Sequence, residues 1–222
     1  MNPILAGVAF AVVAGSIAAV STREARTAVL ATAIVLVMSP LVADPLASPA
    51  GLAARLIGAI LAAYLLWIVV RGRPGTGVAP PETGGSRIGW PAEALIAAAA
   101  AIAGYAAHGL GAPADGPPLA SAAGFAVAAV AVTPVLTGRD ALRVGAGLML
   151  LLDAALLVRV GLGGTPGQLE ALLTAGLIAA LGGALALAAM AARLDGATGF
   201  ELAADPQPRG RHEPDAHPLR TR

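Results

Sequence analysis

The sequence predicts an all-α integral membrane protein with about seven transmembrane helices. Of its 222 residues, 57% are hydrophobic and only 12% are charged. The mean hydropathy is +0.79. The apolar residues also gather in blocks of about 20, the length that a helix needs to cross the hydrocarbon core of a bilayer. These observations place the chain in a lipid bilayer and favour seven separate spans.

The apolar blocks define the predicted spans, at about 20 residues each for a rise of 1.5 Å per residue. They cover residues 3–21, 27–46, 51–70, 93–111, 119–137, 142–162 and 168–192. The first block has no basic segment before it, and its arginines Arg23 and Arg26 follow it. Because a secretory signal has the opposite order, we expect an uncleaved span with its N-terminus outside.

The loop arginines predict the orientation of the chain. Arginine follows every odd-numbered span, whereas only Arg55 and Arg159 lie toward the opposite side, near helix ends from which they are expected to snorkel. The basic side is then cytoplasmic and the C-terminus lies inside. All 14 basic residues are arginine, and alanine is abundant, which is typical of a bacterial GC-rich genome. The predicted location is therefore the bacterial inner (plasma) membrane, with multiple passes.

Polar segments divide the predicted organisation into four parts. Three transmembrane helices occupy 1–70, a flexible cytoplasmic loop occupies 71–91, four more helices occupy 92–194, and a disordered cytoplasmic tail occupies 195–222. The loop and the tail are rich in proline, glycine and charge. The tail histidines, His212 and His217, lack the rigid spacing of a metal site.

The motifs of autonomous enzymes are missing from the sequence. There is no cysteine, no phosphate-binding P-loop, no G-x-S-x-G and no H-E-x-x-H. We therefore expect no catalytic residue, no metal and no cofactor, and an enzyme acting alone is improbable. The net charge of +1 and the scattered arginines give no signal for nucleic acid. The expected partners are the lipid bilayer and other membrane subunits.

Small residues recur every four positions in two spans, which predicts close helix packing. The ladders are Gly7, Ala11, Gly15 and Ala19 in span one, and Gly176, Ala180, Ala184 and Ala188 in span seven. For span seven, chance in an alanine-rich chain is an equal explanation. Ser39-Pro40 and Thr133-Pro134 predict kinks in spans two and five.

Asp153 is the one sharp feature of the sequence, because it lies inside an apolar run. A central aspartate costs about 2.5–3.5 kcal/mol on insertion scales. Entering near Leu142, span six carries Asp153 about 16 Å along the axis, and Arg159, six residues further, faces another side. Its partner must come from another helix, or the acid is protonated. Two interpretations stay open: a proton path through Asp153, or a neutral acid that hydrogen-bonds a neighbouring helix. His108, near the end of span four, is a secondary candidate.

The last three spans resemble a known family of membrane subunits. The stretches G-R-D-A-L-R-V-G-A-G-L-M-L-L-L-D-A-A-L-L and A-L-L-T-A-G-L-I-A-A-L-G-G-A-L-A-L-A-A-M-A-A-R are similar to the three-helix small subunit K of respiratory complex I. In length and in its three-plus-four division, the whole chain resembles the seven-span E-type membrane component of hydrogenase-4 and formate hydrogenlyase complexes. The resemblance implies a non-catalytic subunit beside antiporter-like, hydrogenase or quinone-site membrane subunits.

The chain departs from that family at its acidic positions. The family has a membrane-embedded glutamate in a G-L-E-x-x-x-N pattern; here Met149 follows Gly147-Leu148, and Asp153 occupies the asparagine position. Since positions four apart share a helix face, Asp153 could still point at the same polar axis. The family's acid in the last span falls near Ala180, and Arg143 matches a basic family position.

Two functions follow from these observations. The first is a membrane subunit of a complex I-like or hydrogenase-like assembly that contributes to proton or cation translocation. The second is a free-standing small membrane scaffold or transporter, in which case the resemblance reflects a shared alanine and leucine composition. Asp153 is the candidate for the proton path, and Arg143, Arg159 and His108 are the secondary candidates.

Overall fold

The computed structural model describes residues 3–43, 46, 48–71, 90–108, 116–138 and 141–194. The regular structure of these residues is entirely helical. The helices are α1 (Pro3–Ser21), α2 (Ala25–Met38), a 3-10 turn (Ser39–Val42), α3 (Pro49–Arg71), α4 (Trp90–Ala107), α5 (Pro118–Thr137), α6 (Ala141–Gly163) and α7 (Gln168–Leu194). Proline occupies the first turn of α1, α3, α4 and α5, where its missing N–H costs no helical hydrogen bond.

Six helices are long and apolar enough to cross a bilayer: α1, α2 with its 3-10 extension, α3, α5, α6 and α7. The structure is therefore that of an all-helical protein suited to a multi-pass position in a lipid bilayer. The fourth helix is shorter, with its apolar part at Pro91–Ala107, although the sequence predicts a span over 93–111. The seventh span and the orientation of the termini stay predictions. Most of the predicted loop over 71–91 and the whole tail over 195–222 lie outside the described residues.

Successive helices run in opposite directions, so the bundle has two ends. We call the end at which α1, α3, α5 and α7 begin the first end, and the end at which they stop the second end. Two hydrogen bonds between helix ends illustrate this arrangement. At the second end, Arg26 at the start of α2 donates to the carbonyl oxygen of Arg71 at the end of α3. At the first end, the backbone N–H of Gly116, just before α5, donates to the carbonyl oxygen of Gly161 near the end of α6.

Two apolar cores meet on α6. The first core is built by α1, α2, α4, α5 and α6, and includes Val12, Val127 and Leu150. The second is built by α2, α3, α6 and α7, and includes Leu66 and Met149. Because α6 supplies side chains to both cores, little of its surface is left for lipid. A polar residue near the middle of this helix is consequently surrounded by other helices and buried.

Small residues bring α3 and α7 into close contact. A Cβ atom added at Gly58 would lie 2.6 Å from the carbonyl oxygen of Ala175, and one at Gly182 would lie 2.6 Å from the Cβ of Ala62. The same arrangement recurs between α5 and α6, where a Cβ at Gly124 would lie 2.8 Å from the backbone nitrogen of Val158. These helices therefore approach to a distance that larger side chains would prevent.

The small-residue ladder of α7 does not pack against another helix in the described part of this chain. Gly176, Ala180, Ala184 and Ala188 are all exposed, and a Cβ at Gly176 would meet nothing within 4 Å. The buried side of α7 carries Ala171, Ala175, Ile178, Gly182, Ala186 and Ala189. In an alanine-rich helix several faces offer small residues, and the glycines of α3 decide which one packs. In α1, the ladder packs in part. A Cβ added at Gly15 would lie 2.9 Å from Cγ2 of Val35 on α2, whereas one at Gly7 would meet nothing within 4 Å.

The two prolines predicted to bend helices have different consequences. At Ser39-Pro40 the α-helix ends and a 3-10 turn continues to Val42, so the predicted span over 27–46 is α-helical only to Met38. The helix α5, in contrast, continues through Pro134 to Thr137. The helix α6 ends in a different way: Gly164, which directly follows it, has a φ of +73°, the left-handed conformation with which helices commonly end.

The packing of α3 on α7 gives a first prediction. We expect Gly58→Ala to lower the free energy of unfolding by about 1–3 kcal/mol, because a backbone carbonyl oxygen cannot rotate away from the new methyl group. Unfolding in mixed micelles, followed by circular dichroism, measures the change. The matched control is Gly176→Ala on the exposed face of α7, which should be neutral or stabilising by up to about 1 kcal/mol. Equal losses in the two variants would contradict the described packing.

Candidate functional site

Asp153 lies near the middle of α6 and is fully buried. It follows Ala141 by twelve residues and precedes Gly163 by ten, which places it about 18 Å and 15 Å from the two ends of the helix. Its exposed fraction is 0%. The carboxylate therefore faces the interior of the bundle and not lipid, as the sequence predicts. Such a position is costly unless other groups compensate the charge.

Two side chains from other helices contact the Asp153 carboxylate. The hydroxyl of Ser39, at the start of the 3-10 turn after α2, donates to Oδ1 at 2.6 Å. The Nη2 group of Arg55, on α3, donates to the same oxygen at 3.3 Å. The predicted partner from another helix is thus Arg55, and the pair carries no net charge. Three elements of the bundle meet at this one carboxylate.

The sequence prediction for Arg55 is wrong. It was expected to snorkel from a helix end, yet only 4% of the residue is exposed. The reason is its position on the face of α3 that also carries Gly51, Gly58 and Ala62, all of which are buried. That stripe, with spacings of three and four residues, is visible in the sequence. This stripe marks Arg55 as a buried cation that needs an acidic partner inside the bundle.

The pair leaves two polar atoms with hydrogen-bonding capacity. Among the described residues, neither Oδ2 of Asp153 nor Nε of Arg55 has a hydrogen-bond partner. Buried polar groups without partners are rare because each costs about 1–3 kcal/mol. The Ser39 hydroxyl, besides its bond to Asp153, lies 3.5 Å from the carbonyl oxygen of Leu36 in the preceding turn. The site is therefore compensated in charge but not in hydrogen bonds.

Arg143 forms a second buried ion pair, at the second end of the bundle. Its Nη2 group donates to Oε2 of Glu93 on α4 and, at 2.8 Å, to the carbonyl oxygen of Val20 on α1. The exposed fractions of the Arg143 and Glu93 side chains are 9% and 7%. Sequence reasoning missed Glu93. The available signal is that Glu93 and Arg143 lie in the first turns of α4 and α6, which begin at the same end.

The other secondary candidates lie away from Asp153. At the first end, Arg159 donates to Oε2 of Glu170 at 2.7 Å and to the carbonyl oxygen of Gly164 at 3.2 Å, with 42% of the Arg159 side chain exposed. His108 follows α4, where its ring contacts the carbonyl oxygen of Tyr105 and is partly exposed. The structure brings none of Arg143, Arg159 and His108 to Asp153.

The groups that meet at Asp153 form an ion pair that can exchange a proton. In the described part of the chain, no three histidine, aspartate or glutamate side chains lie close enough to hold a metal ion. The Asp153 carboxylate can bind or release a proton, whereas an arginine stays charged in proteins. A proton on Asp153 would leave Arg55 as an uncompensated cation, so protonation and the position of Arg55 are coupled.

Comparisons with known proteins add no assignment to this geometry. No family model matches the chain, and no curated protein or solved structure matches it. The resemblance to subunit K of complex I stays a prediction from the sequence. The polar groups that α6 places inside an apolar bundle are therefore the features that bear on function.

Proposed function

We propose that the chain is a membrane subunit of a complex I-like or hydrogenase-like respiratory assembly, and that Asp153 contributes to proton or cation translocation there. The observation that carries this proposal is the ion pair of Asp153 with Arg55 in the middle of a membrane helix. Ionisable residues at this depth are rare in membrane proteins and usually mark ion pathways. The family resemblance of spans five to seven supports the type of assembly.

The geometry suits a group that changes its charge state. Arg55 keeps its proton, so Asp153 is the member of the pair that titrates. Its Oδ2 atom has no hydrogen-bond partner among the described residues and is available to accept a proton. When the acid becomes neutral, the attraction that holds Arg55 is lost. A neighbouring subunit that favours one position of Arg55 would thereby change the affinity of Asp153 for protons.

The outward faces of α3 and α7 suit a position beside other membrane subunits. They carry large exposed apolar side chains, among them Ile57, Tyr64, Leu169, Leu173 and Leu187. Such faces are compatible with lipid and with the apolar helices of antiporter-like subunits. A partner outside the membrane would not use these apolar faces, because it would bind polar surface at an end of the bundle.

The experiment is an Asp153→Asn substitution in the assembled complex. This change keeps the size of the side chain and its hydrogen bonding but removes the titrating group. We expect the variant to assemble, but with a lower free energy of unfolding, because Arg55 loses its counter-charge. It should purify in mild detergent with larger membrane subunits and lose most proton-coupled activity, measured as acidification by membrane vesicles. The control is Glu170→Gln, the same chemical change in the exposed pair with Arg159. That variant should keep its coupling.

Two results would overturn the proposal. One is unchanged proton coupling in a normally assembled Asp153→Asn complex, which would leave Asp153 with a packing role. The other is a stable, monodisperse preparation that contains only this chain. The second result would favour the alternative, a free-standing scaffold or transporter. One observation supports that alternative: the chain's own Arg55 compensates Asp153, so no partner subunit is needed to neutralise the buried charge.

A further inference from the structure

A small cavity adjoins the buried ion pair on one side. Its walls combine the two donors to Asp153 with apolar residues that lie progressively closer to the first end of the bundle. The residues that line it include Ser39, Ala43, Arg55, Leu157, Val160 and Pro166. Ala43 follows the 3-10 turn, Val160 belongs to the last turn of α6, and Pro166 lies in the connection to α7. The cavity therefore extends from the ion pair toward the first end.

Buried apolar side chains lie on the opposite side of the ion pair. One turn before Asp153 on α6, toward the second end, Met149 and Leu150 are fully buried. On α2, Leu36 lies one turn before Ser39 in the same direction and is 2% exposed. These three side chains belong to the two apolar cores. The polar groups at the ion pair thus have a cavity on one side and buried side chains of the apolar cores on the other.

The size and the lining of the cavity suit water. Its volume is about 10 Å³, close to the minimum that holds one water molecule. A buried water also needs polar partners, and the lining supplies the Ser39 hydroxyl and Arg55. Arg55 Nε has no hydrogen-bond partner among the residues that the structure describes, although only 5% of the side chain is exposed. One water molecule in this space would give such a donor a hydrogen-bond partner.

We propose that water enters this cavity from the first end alone and reaches the Arg55 and Asp153 pair, which is sealed from the second end. The Ser39 hydroxyl lines the cavity and also donates to Asp153 Oδ1, so a water bound there lies one side chain away from the carboxylate. One part rests on the proposed function: if Asp153 exchanges protons, it exchanges them with the first end of the bundle. The access of water itself does not depend on that function.

Single cysteines test the access, since the chain has no cysteine of its own. The variants are Leu157→Cys, in the cavity wall, and Leu150→Cys, seven residues earlier on the same face of α6. Both positions are buried, at 2% and 0% exposure, so they differ chiefly in the cavity. The full chain is reconstituted in sealed vesicles, and silver nitrate serves as a thiol reagent of near-water size. Gly167→Cys, exposed at the first end with free space around it, identifies which membrane face that end occupies.

Silver ions added from the first end should block Leu157→Cys at least about tenfold faster than Leu150→Cys, because thiols packed in apolar surroundings are inert. From the second end, neither thiol should react. Mass spectrometry after unfolding counts the thiols that stay free. If Leu157→Cys does not fold, Val160→Cys replaces it, one turn nearer the first end and also in the cavity wall.

Equal, slow blocking of the cavity thiol and of Leu150→Cys would overturn the inference, and so would blocking of the cavity thiol from the second end. These results would leave the proposed function standing, because proton coupling is read separately from the Asp153→Asn complex. Conversely, one-sided blocking with unchanged coupling in that complex would support the water access and reject the proton path.

Discussion

Replacing Arg55 with alanine is expected to lower the free energy of unfolding by about 3–5 kcal/mol, because it removes one partner of a buried ion pair. The Asp153 carboxylate, which is 0% exposed, would keep only the hydrogen bond from Ser39. Protonation of the carboxylate would remove its unpaired charge, but this also costs free energy, so stability is lost in either case. Unfolding in mixed micelles, followed by circular dichroism, measures the loss.

Two further variants separate the loss of charge compensation from other effects. Arg159→Ala also removes an arginine from an ion pair, but 42% of its side chain is exposed, so the expected loss is about 0–1 kcal/mol. The double variant Arg55→Ala with Asp153→Asn removes both charges and should be more stable than Arg55→Ala alone. A double variant as unstable as the single one would mean that Arg55 acts through packing and not through its charge.

The positions of the helices could be predicted because apolar blocks are a local property. Span five was expected at 119–137 and is found at Pro118–Thr137, and span six was expected at 142–162 and is found at Ala141–Gly163. The error at span two has a local cause. Pro40 has no N–H for the helical hydrogen bond, and the α-helix stops at Met38. Hydropathy alone does not register that effect, because Leu41, Val42 and Ala43 beyond the proline are still apolar.

The partners of the buried charges could not be predicted in the same way. Arg55 and Asp153 are separated by 98 residues, and Glu93 and Arg143 by 50. Their meeting depends on which helices are neighbours, and that in turn depends on small contacts such as Gly58 against Ala175. The sequence does predict that Asp153 either has a partner from another helix or is protonated. It identifies the partner only when the inward face of α3 is recognised as well.

The three ion pairs of α6 differ in what they hold together. Arg159 joins α6 to α7 at an exposed end, and Asp153 joins α6 to α2 and α3 at mid-depth. Arg143 joins α6 to α1 and α4 at the second end. Of these pairs, only the one with Asp153 lies beside a water-sized cavity and has orphaned polar atoms among the described residues. The pair with Arg143 is therefore the natural comparison for a purely structural role.

Replacing Arg143 with alanine is expected to cost about 3–5 kcal/mol of stability, because it leaves the buried Glu93 carboxylate without its partner. It also removes the donor to the Val20 carbonyl oxygen at the end of α1. The control is Arg26→Ala at the same end, whose partly exposed side chain donates to a carbonyl oxygen at 3.3 Å, so its loss should stay below about 1 kcal/mol.

The combination of Arg143→Ala with Glu93→Ala decides whether the charge pair or the bond to α1 dominates. If the pair dominates, the double variant loses about 0.5–3 kcal/mol less than the sum of the two single losses. If the bond to Val20 dominates, Glu93→Ala is mild and the losses add. In either case Arg143→Ala should leave silver blocking of Leu157→Cys unchanged, because Arg143 lies ten residues from Asp153, about 15 Å toward the second end. Faster blocking in that background would show that the seal around the Asp153 pair depends on the second end, and the two ion pairs could no longer be treated as independent.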